Sequence, residues 1–150
     1  MRRKLCVLLL ACGVCHAAPE RTVVTGNTQD CLAGKVYRTA GVEVSVLPKS
    51  AQLVALIEAV QKANDNNVFD RFDKLIQFVH GAKTLGRTKS GRDGSFRVEI
   101  PAVEEVIVFG YLETEDNPFY WMSIEVNLNH RRTVSVTLDY CQARTNHHPN

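Results

Sequence analysis

The chain has 150 residues, of which 45% are hydrophobic, with 18 basic and 16 acidic side chains. Three of the basic residues, Arg2, Arg3 and Lys4, belong to a predicted targeting segment, and removing it leaves 15 basic and 16 acidic residues, a net charge of −1. This balance excludes the basic surface that a nucleic-acid-binding domain needs. The length predicts a single domain with its own hydrophobic core.

The first 17 residues have the layout of a secretory signal peptide. A basic start is followed by the apolar run Leu5–Val14, and Cys15 and Ala17 then place small side chains at the −3 and −1 positions of a cleavage site. The apolar run is too short to cross a bilayer. We therefore expect an exported protein, periplasmic or extracellular, that is cleaved after Ala17.

A lipid-anchored form of the exported chain is the alternative. The sequence LLAC at Leu9–Cys12 resembles a bacterial lipobox, in which Cys12 would be lipidated and would hold the protein at a membrane. Removal of a signal peptide leaves two cysteines, Cys31 and Cys141, whereas cleavage before Cys12 also leaves Cys15 without a partner. Because an odd thiol is a liability in an oxidising compartment, the cysteine count favours the soluble form.

Two strand candidates lie in Cys31–Pro48, after an N-terminal segment formed by residues 18–30. The candidates are joined by the turn-like sequence RTAG. In the second candidate, valines alternate with polar residues over residues 42–46. This period of two predicts a strand with one buried face and one solvent-exposed face.

A helical hairpin is predicted over residues 50–80, between the second and third strands. Apolar residues recur there at helical spacing in two runs separated by the sequence NDNN, and Ser50 is placed to cap the first helix. The predicted apolar stripes comprise Leu53, Leu56, Ile57, Val60, Phe69, Phe72, Ile76 and Val79. We expect these stripes to pack on the sandwich and protect a sheet edge, with the docking of a partner as the alternative.

Five more strand candidates follow the hairpin and bring the count to seven. Short strands with short connections predict an antiparallel sandwich of the Greek-key type. The sandwich domain is predicted to span residues 31–141 and to be followed by a flexible tail, residues 142–150. Cys31 and Cys141 flank the predicted strands, and we expect a disulfide between them that ties the two ends of the domain together.

The stretch TKSGRDGSF, residues 88–96, raises the question of an ion or phosphate site. A calcium loop needs several oxygen-bearing side chains at alternate positions, and only Ser90, Asp93 and Ser95 qualify. A phosphate loop needs a helix directly after it, and a strand candidate follows instead. Asp93 and Gly94 between two β runs therefore predict a hairpin turn that binds nothing.

Four motifs of the chain together resemble the carboxypeptidase regulatory-like family: AGKVYRTAGVEVSVL, TKSGRDGSFRVEIP, EVIVFGYL and VSVTL. The resemblance covers Ala33–Leu47 and Thr88–Leu138 and leaves out the helical hairpin. It implies a transthyretin-like (prealbumin-like) β-sandwich that serves as an accessory or binding module. No catalytic residue is carried over by the resemblance.

Enzymes built on a similar sandwich match the chain poorly. Hydroxyisourate hydrolases end in a Tyr-Arg-Gly-Ser signature, whereas this chain ends CQARTNHHPN. Intradiol dioxygenases bind ferric iron through two tyrosines and two histidines, and the available Tyr111, Tyr120, His80 and His130 lack a His-x-His spacing. A Gly-x-Ser-x-Gly nucleophile motif is also absent from the sequence. We therefore predict no catalytic residue, no metal site and no cofactor.

The aromatic run FYWM, Phe119–Met122, is the predicted binding surface. In a strand, Phe119 and Trp121 point to one side and Tyr120 and Met122 to the other, so one pair is expected in the core and the other on an exposed face. We predict a non-catalytic exported module that binds a protein, peptide or carbohydrate. The alternatives are a small secreted hydrolase or metal-dependent enzyme and a structural lipoprotein subunit of an envelope assembly.

Overall fold

The computed structural model describes four parts of the chain, without the side chains of Leu32 and Tyr120: residues 20–32, 35–64, 66–113 and 120–140. The predicted signal peptide, the lipobox cysteine Cys12, the predicted tail and Cys141 lie outside these residues. In the described parts, no helix is both long enough and apolar enough to cross a membrane.

The described residues form eight strands and two helices. In chain order these are β1 (Arg21–Leu32), β2 (Lys35–Arg38), β3 (Glu43–Pro48), α1 (Ala51–Gln61), α2 (Val68–Gly81), β4 (Gly86–Lys89), β5 (Ser95–Pro101), β6 (Glu105–Leu112), β7 (Tyr120–Asn127) and β8 (Thr133–Asp139). Sheet A has the order β2–β1–β5, with β8 also paired to β1, and sheet B has the order β4–β3–β6–β7. The two sheets pack face to face, so the predicted β-sandwich is confirmed.

The predicted strand count and the predicted place of the hairpin are wrong. The structure has eight strands, and the helices follow the third strand because β1 begins at Arg21, inside the segment that we expected to precede the domain. Cys31 consequently lies within β1 and not before the first strand. Every second residue of β1 is buried, and the buried residues are Thr22, Val24, Gly26 and Thr28. Only one of these four residues is a large apolar residue, so the strand lacks the hydrophobic alternation on which a sequence-based prediction depends.

The strand pairing is mostly but not entirely antiparallel. Pairs within sheet B and the pairs of β1 with β2 and β5 are antiparallel, as predicted. β1 and β8, however, run parallel, with Val23 opposite Thr133 and Gln29 opposite Asp139. The first and last strands of the described sandwich therefore lie side by side in sheet A, where β1 is central and β8 pairs with β1 alone.

The sandwich core lies between the two sheets and is mainly aliphatic. Its buried members are Val24, Val42, Val44, Val46, Phe96, Val98, Ile100, Val106, Val108, Met122, Leu128, Val134, Val136, Leu138 and Tyr140. Burial of each large side chain contributes roughly 1.5–3 kcal/mol, and this core is therefore the main source of stability of the sandwich.

The helical hairpin covers the outer face of sheet B, so its predicted packing on the sandwich is confirmed. Ser50 caps α1 as predicted, because its hydroxyl accepts a hydrogen bond from the Leu53 backbone N–H at 3.2 Å. A second core beneath the helices contains Leu47, Leu53, Ile57, Val60, Phe72, Leu75, Val79, Ile107, Phe109 and Trp121. The hairpin thus lies over a sheet face and not only at a sheet edge.

The predicted stripe on α2 is wrong at one position. Phe69 is 61% exposed, whereas Leu75, which the prediction omits, is fully buried at 0%. Phe72, Leu75 and Val79 follow the spacing i, i+3, i+7, which keeps them on one side of a helix with 3.6 residues per turn. Phe69 belongs to the first turn of α2, where helical spacing alone did not reveal how far the covered sheet face extends.

The turn at residues 91–94 is a corner between the sheets and not a hairpin within one sheet. β4 pairs with β3 in sheet B and β5 pairs with β1 in sheet A, so the chain crosses from one sheet to the other at this turn. Gly94 has a φ of +74°, and its N–H donates to the Gly91 carbonyl at 2.9 Å. The Asp-Gly pair specifies a chain reversal, as predicted, but it does not specify which strands the reversal joins.

The hydroxyl residue that precedes this turn has a structural role. Ser90 is buried, and its hydroxyl donates to the Thr39 carbonyl at 2.9 Å and accepts from the Val42 N–H at 3.0 Å. Asp93 Oδ1 accepts from the N–H of Ser95 at 3.0 Å and from its hydroxyl at 2.7 Å. These bonds lower the pKa of Asp93, the Ser95 hydroxyl contributing most. The side chains of Ser90, Asp93 and Ser95 are therefore engaged in forming the corner.

Candidate binding cleft at the end of helix α2

Four aromatic rings meet between α2 and the outer face of sheet B. The ring of Phe72 on α2 lies 6.0 Å from that of Tyr111 and 6.3 Å from that of Trp121, between ring centroids. Trp121 in turn stacks on Phe109 at 5.9 Å with an interplanar angle of 20°. Such offset and tilted pairs add about 0.5–1.5 kcal/mol each beyond the burial of their area. The cluster fixes α2 on β6 and β7.

Tyr111 lies at the solvent side of this cluster. It is partly buried, whereas Phe72, Phe109 and Trp121 are each no more than 6% exposed. The imidazole of His80, in the last turn of α2, meets the Tyr111 ring edge-on, with 6.2 Å between centroids and an interplanar angle of 71°. The helix therefore ends beside an aromatic ring that solvent still reaches.

A charged pair continues the row of side chains from Tyr111 across sheet B. Tyr111 on β6 is opposite Glu43 on β3, and Glu43 is opposite Lys89 on the edge strand β4. The Lys89 Nζ lies 3.2 Å from Glu43 Oε1, and these two side chains are 68% and 52% exposed. Residues that are opposite each other have Cβ atoms about 4.5–5.5 Å apart, so Glu43 is an immediate neighbour of both Tyr111 and Lys89.

A cleft of about 320 Å³ lies next to this row. Its lining consists of Glu43, Val44, Ser45, Arg87, Thr88 and Lys89. Arg87 joins the cleft to the helix, because its Nη2 donates to the carbonyl oxygens of Val79 at 2.8 Å and His80 at 3.3 Å. We call this cleft, together with the rings of Tyr111 and His80 beside it, the Tyr111 site.

The Tyr111 hydroxyl is held in its neutral form. Partial burial raises the pKa of the phenol above its usual value of 10.0, and the negative charges of Glu113 and Glu43 raise it further. At neutral pH the hydroxyl, like any protonated phenol, can both donate and accept a hydrogen bond. The Tyr111 site offers a partly exposed aromatic ring, a neutral hydroxyl, a carboxylate, an ammonium and a guanidinium on three neighbouring strands.

Two other clefts lack this combination. One, of about 240 Å³, lies between α1 and sheet B, and the other, of about 440 Å³, is bordered by Glu20, Glu104 and His130. The lining of neither cleft contains a lysine or an arginine. Among the described residues, no group of three His, Cys, Asp or Glu side chains could hold a metal ion. The Tyr111 site is the candidate on which a functional proposal can rest.

The structure describes only part of the predicted aromatic surface. Trp121 is 5% exposed and Met122 is 3% exposed, one beneath the helices and the other in the sandwich core. Alternation along β7 is present, but at Trp121 and Met122 both sides of the strand are covered, so the expectation of one exposed pair is wrong for these two residues. Phe119 and the side chain of Tyr120 lie outside the described residues, and their part of the predicted surface stays a prediction.

The two histidines considered as iron ligands, His80 and His130, lie in different parts of the structure. His80 contacts Tyr111 at the end of α2, whereas His130 lies in the turn between β7 and β8 and lines the cleft with Glu20. His130 and the preceding Asn129 have positive φ values of 59° and 41°, which fit a tight turn. The predicted disulfide also stays a prediction, because Cys141 lies outside the described residues.

Sequence reasoning did not identify Glu43, Lys89 and Arg87 as site residues. Each appeared as an ordinary polar position of a strand, and nothing local distinguishes them from other charged strand residues. What brings them to Tyr111 is the register of β4, β3 and β6, which is a property of strands distant in sequence.

No family model matches the chain, and no curated protein matches it. Among solved structures, the chain is similar to the minor pilin GBS52 of Streptococcus agalactiae, with a TM-score of 0.50 and 9% identity over 81% of this chain and 44% of the pilin. It is also similar to a candidate carbohydrate-binding protein of Pseudomonas aeruginosa, with a TM-score of 0.51 and 12% identity over 81% of this chain and 89% of that protein. At these identities the similarity shows the β-sandwich fold alone, and the chain spans less than half of the pilin.

Proposed function

We propose that the protein is an exported, non-catalytic binding module of the cell envelope or extracellular space, and that it binds its ligand at the Tyr111 site. The observation that carries the proposal is the geometry of this site: a partly exposed ring adjoins a cleft of about 320 Å³ and an exposed charged pair. Ligand sites in proteins combine an apolar surface with a few convergent polar groups in a concave setting. No cofactor and no nucleic acid is part of the proposal.

Several observations support a binding role over a catalytic one. In the Tyr111 site the carboxylate of Glu43 is paired with Lys89, and Arg87 is bonded to the end of α2. A general base needs a substrate proton within hydrogen-bond reach and a pKa near the working pH. The pairing of Glu43 with Lys89 does not favour this role for its carboxylate. Two solved structures with the same fold, a minor pilin and a candidate carbohydrate-binding protein, are consistent with an accessory role. The partner is therefore expected to be a protein, a peptide or a carbohydrate.

A structural subunit of an envelope assembly is the second candidate. It is favoured by the edge strand β2, on which Val36 is 62% exposed and Tyr37 is 48% exposed. Exposed apolar residues on an edge strand are typical of a surface that another chain covers. The resemblance to the carboxypeptidase regulatory-like family fits either candidate, because that family is expected to provide accessory modules.

A binding screen with two matched tyrosine variants tests the proposal. The mature chain, starting at residue 18, would be applied to a glycan array and to a peptide library, alongside Tyr111→Ala and Tyr37→Ala. Tyr37 is the control because it is a partly exposed tyrosine in the other sheet. We expect Tyr111→Ala to lose the bound ligand and Tyr37→Ala to keep it. The opposite pattern would move the binding surface to β2 and favour the structural subunit.

A further inference from the structure

The charges around the Tyr111 site are largely compensated within the protein. Lys89 forms an ion pair with Glu43 at 3.2 Å, and Arg87 donates to two carbonyl oxygens at the end of α2, where the helix carries a partial negative charge. A site that captures ions presents an excess of one sign of charge. The compensated charges here favour a ligand without net charge, since an ion would gain little to offset its own desolvation.

The polar groups of the site still have capacity for further hydrogen bonds. Arg87 uses Nη2 for both carbonyls, and Nη1 and Nε carry three further N–H donors. Glu43 accepts through Oε1, and its second carboxylate oxygen adds acceptor capacity. The site can therefore donate and accept in one place, which suits a ligand whose own groups do both. A hydroxyl group donates one hydrogen bond and accepts two.

The direction of the site distinguishes a saccharide from an added peptide strand. Lys89, Glu43 and Tyr111 form a row across β4, β3 and β6, and neighbouring strands are about 4.7–4.9 Å apart. A ligand that contacts all three lies across the strands. A peptide that extends a sheet instead lies along the edge strand and uses backbone bonds. The Tyr111 and His80 rings at the end of the row offer an apolar surface for the C–H face of a sugar ring.

We infer that the Tyr111 site binds a neutral saccharide, with Tyr111 as the platform for one sugar ring and Glu43, Lys89 and Arg87 as partners for its hydroxyl groups. The inference rests on the proposed binding function and narrows it to one class of ligand. Shallow polar sites of this kind bind weakly as single units, and a repeating polymer gains affinity through several contacts at once.

Calorimetric or NMR titration with defined oligosaccharides tests the inference. The probes are the neutral cellotetraose, maltotetraose and chitotetraose, the acidic tetragalacturonic acid, and a hexapeptide of glycine and serine, each at up to millimolar concentration. We expect at least one neutral tetrasaccharide to bind, with shifts at Tyr111 and His80. Tyr111→Ala should weaken binding about ten-fold or more, as truncation of a central aromatic anchor does. Tyr37→Ala should leave it unchanged.

Lys89→Ala keeps the test decisive if Tyr111→Ala fails to fold. Lys89 is 68% exposed, so its truncation leaves the core intact, and we expect it to weaken saccharide binding without lowering the melting temperature. Binding of the acidic tetrasaccharide alone, or of peptide alone, would overturn the inference and leave the binding module in place. If a neutral saccharide bound Tyr111→Ala and Lys89→Ala as tightly as the wild type, the saccharide-binding surface would lie elsewhere on the protein. If no probe and no array ligand binds, both proposals fall.

Discussion

Sheets A and B present similar inner faces to the core but very different outer faces. On sheet B, the outward-pointing Leu47, Ile107 and Phe109 are at most 1% exposed because the helices cover them. On sheet A, the outward-pointing Thr133, Ser135 and Thr137 of β8 are all exposed. The same sandwich therefore has one covered side and one open side. The candidate cleft lies where the cover ends, because Arg87 of its lining is bonded to the end of α2 and the other lining residues belong to β3 and β4.

The difference is visible in the burial pattern of single strands. β8 alternates strictly between exposed and buried residues, whereas β6 has five consecutive buried residues, Val106 to Gly110. A continuous apolar run is typical of a strand with both faces covered, and alternation is typical of a strand with one open face. A sequence such as EVIVFGYL thus predicts that something packs on the outer face of its sheet, and in this chain the helical hairpin does so.

The largest expected effect comes from removing the contact between the helical cover and sheet B. Phe72→Ala should lower the free energy of unfolding by about 3–5 kcal/mol, because Phe72 is 6% exposed and contacts both Tyr111 and Trp121. Phe69→Ala on the same helix should change it by about 0.5 kcal/mol or less, because Phe69 is 61% exposed. Urea denaturation of both variants measures the two values.

Equal effects of the two substitutions would contradict this comparison. If Phe72→Ala left stability unchanged but abolished ligand capture, the apolar side of the hairpin would be an interface and not a cover. If Phe69→Ala alone reduced ligand capture, the exposed first turn of α2 would belong to a binding surface that the Tyr111 site does not include.

Much of the fold could be predicted from local patterns. The helices follow a hydrophobic period of 3.6, strands such as β5 and β8 follow a period of 2, and β6 is a continuous apolar run. These patterns, like the cap at Ser50, are properties of a few consecutive residues. β1 was not predicted as a strand because its buried side carries Thr22, Gly26 and Thr28. Thr28 is tolerated at 0% exposure because its N–H and hydroxyl are both within hydrogen-bonding distance of the Gly94 carbonyl, at 2.9 and 3.1 Å. That partner is 66 residues away and cannot be read from the strand itself.

The candidate site could not be predicted, for a related reason. From the sequence, Tyr111 was considered only as an iron ligand that fits poorly. Its neighbours Glu43 and Lys89 belong to other strands, and only the strand register places them beside it. The aromatic run Phe119–Met122 attracted attention because it is local. Its described side chains, Trp121 and Met122, contribute to the two cores and not to a free surface.

The second prediction concerns the open sheet. β1 and β8 pair in parallel with a constant offset, so that Val23 is opposite Thr133 and Gln29 is opposite Asp139. Cys31 and Cys141 have the same offset of 110 residues, and a continued register would bring them side by side. Adjacent strand residues have Cα atoms at a separation that suits a disulfide. Cys31→Ala should therefore lower stability by about 2–4 kcal/mol.

Intact-mass measurement after alkylation checks the bond directly. We expect a mature chain that takes up no alkylating reagent without reductant and two equivalents with it. Cys141→Ala is the matched variant and should match Cys31→Ala in stability. Alkylation of both thiols in the untreated chain would contradict the prediction and would leave sheet A held by its backbone pairing alone.

The third prediction concerns the corner that joins the two sheets. Gly94 has a φ of +74°, and a Cβ at this residue would lie 2.7 Å from the Thr28 carbonyl oxygen. Gly41 has a similar φ of +76°, but a Cβ at that residue would have no neighbouring atom within 4 Å. Gly41→Ala therefore measures the cost of the backbone conformation alone, about 1 kcal/mol. Gly94→Ala should cost about 1–3 kcal/mol more, through the clash with β1. Equal melting temperatures of the two variants would mean that β1 does not pack closely on the corner.

The smallest expected effect is a pH dependence at the boundary between covered and open surface. Because burial, Glu113 and Glu43 raise the pKa of Tyr111 above 10.0, the unfolded chain loses this proton at a lower pH than the folded chain. The stabilisation is fully present below about pH 10 and is lost as the pH rises through the pKa of the folded state. Tyr111→Phe keeps the ring and removes the ionisation, so its stability should fall less than that of the wild type above pH 10.

The contribution of Tyr111 is the difference in stability between wild type and Tyr111→Phe at each pH, because Lys49 titrates in the same range. Its hydrogen bond to Glu125 at 2.8 Å raises the pKa of Lys49, and the charge of Glu105 acts in the same direction, so wild type and Tyr111→Phe share this loss of stability at alkaline pH. Thermal unfolding between pH 8 and 11 gives both curves. If Tyr111→Phe and wild type ran parallel throughout, the Tyr111 hydroxyl would be as solvated as a free phenol, which would contradict its partial burial beside α2.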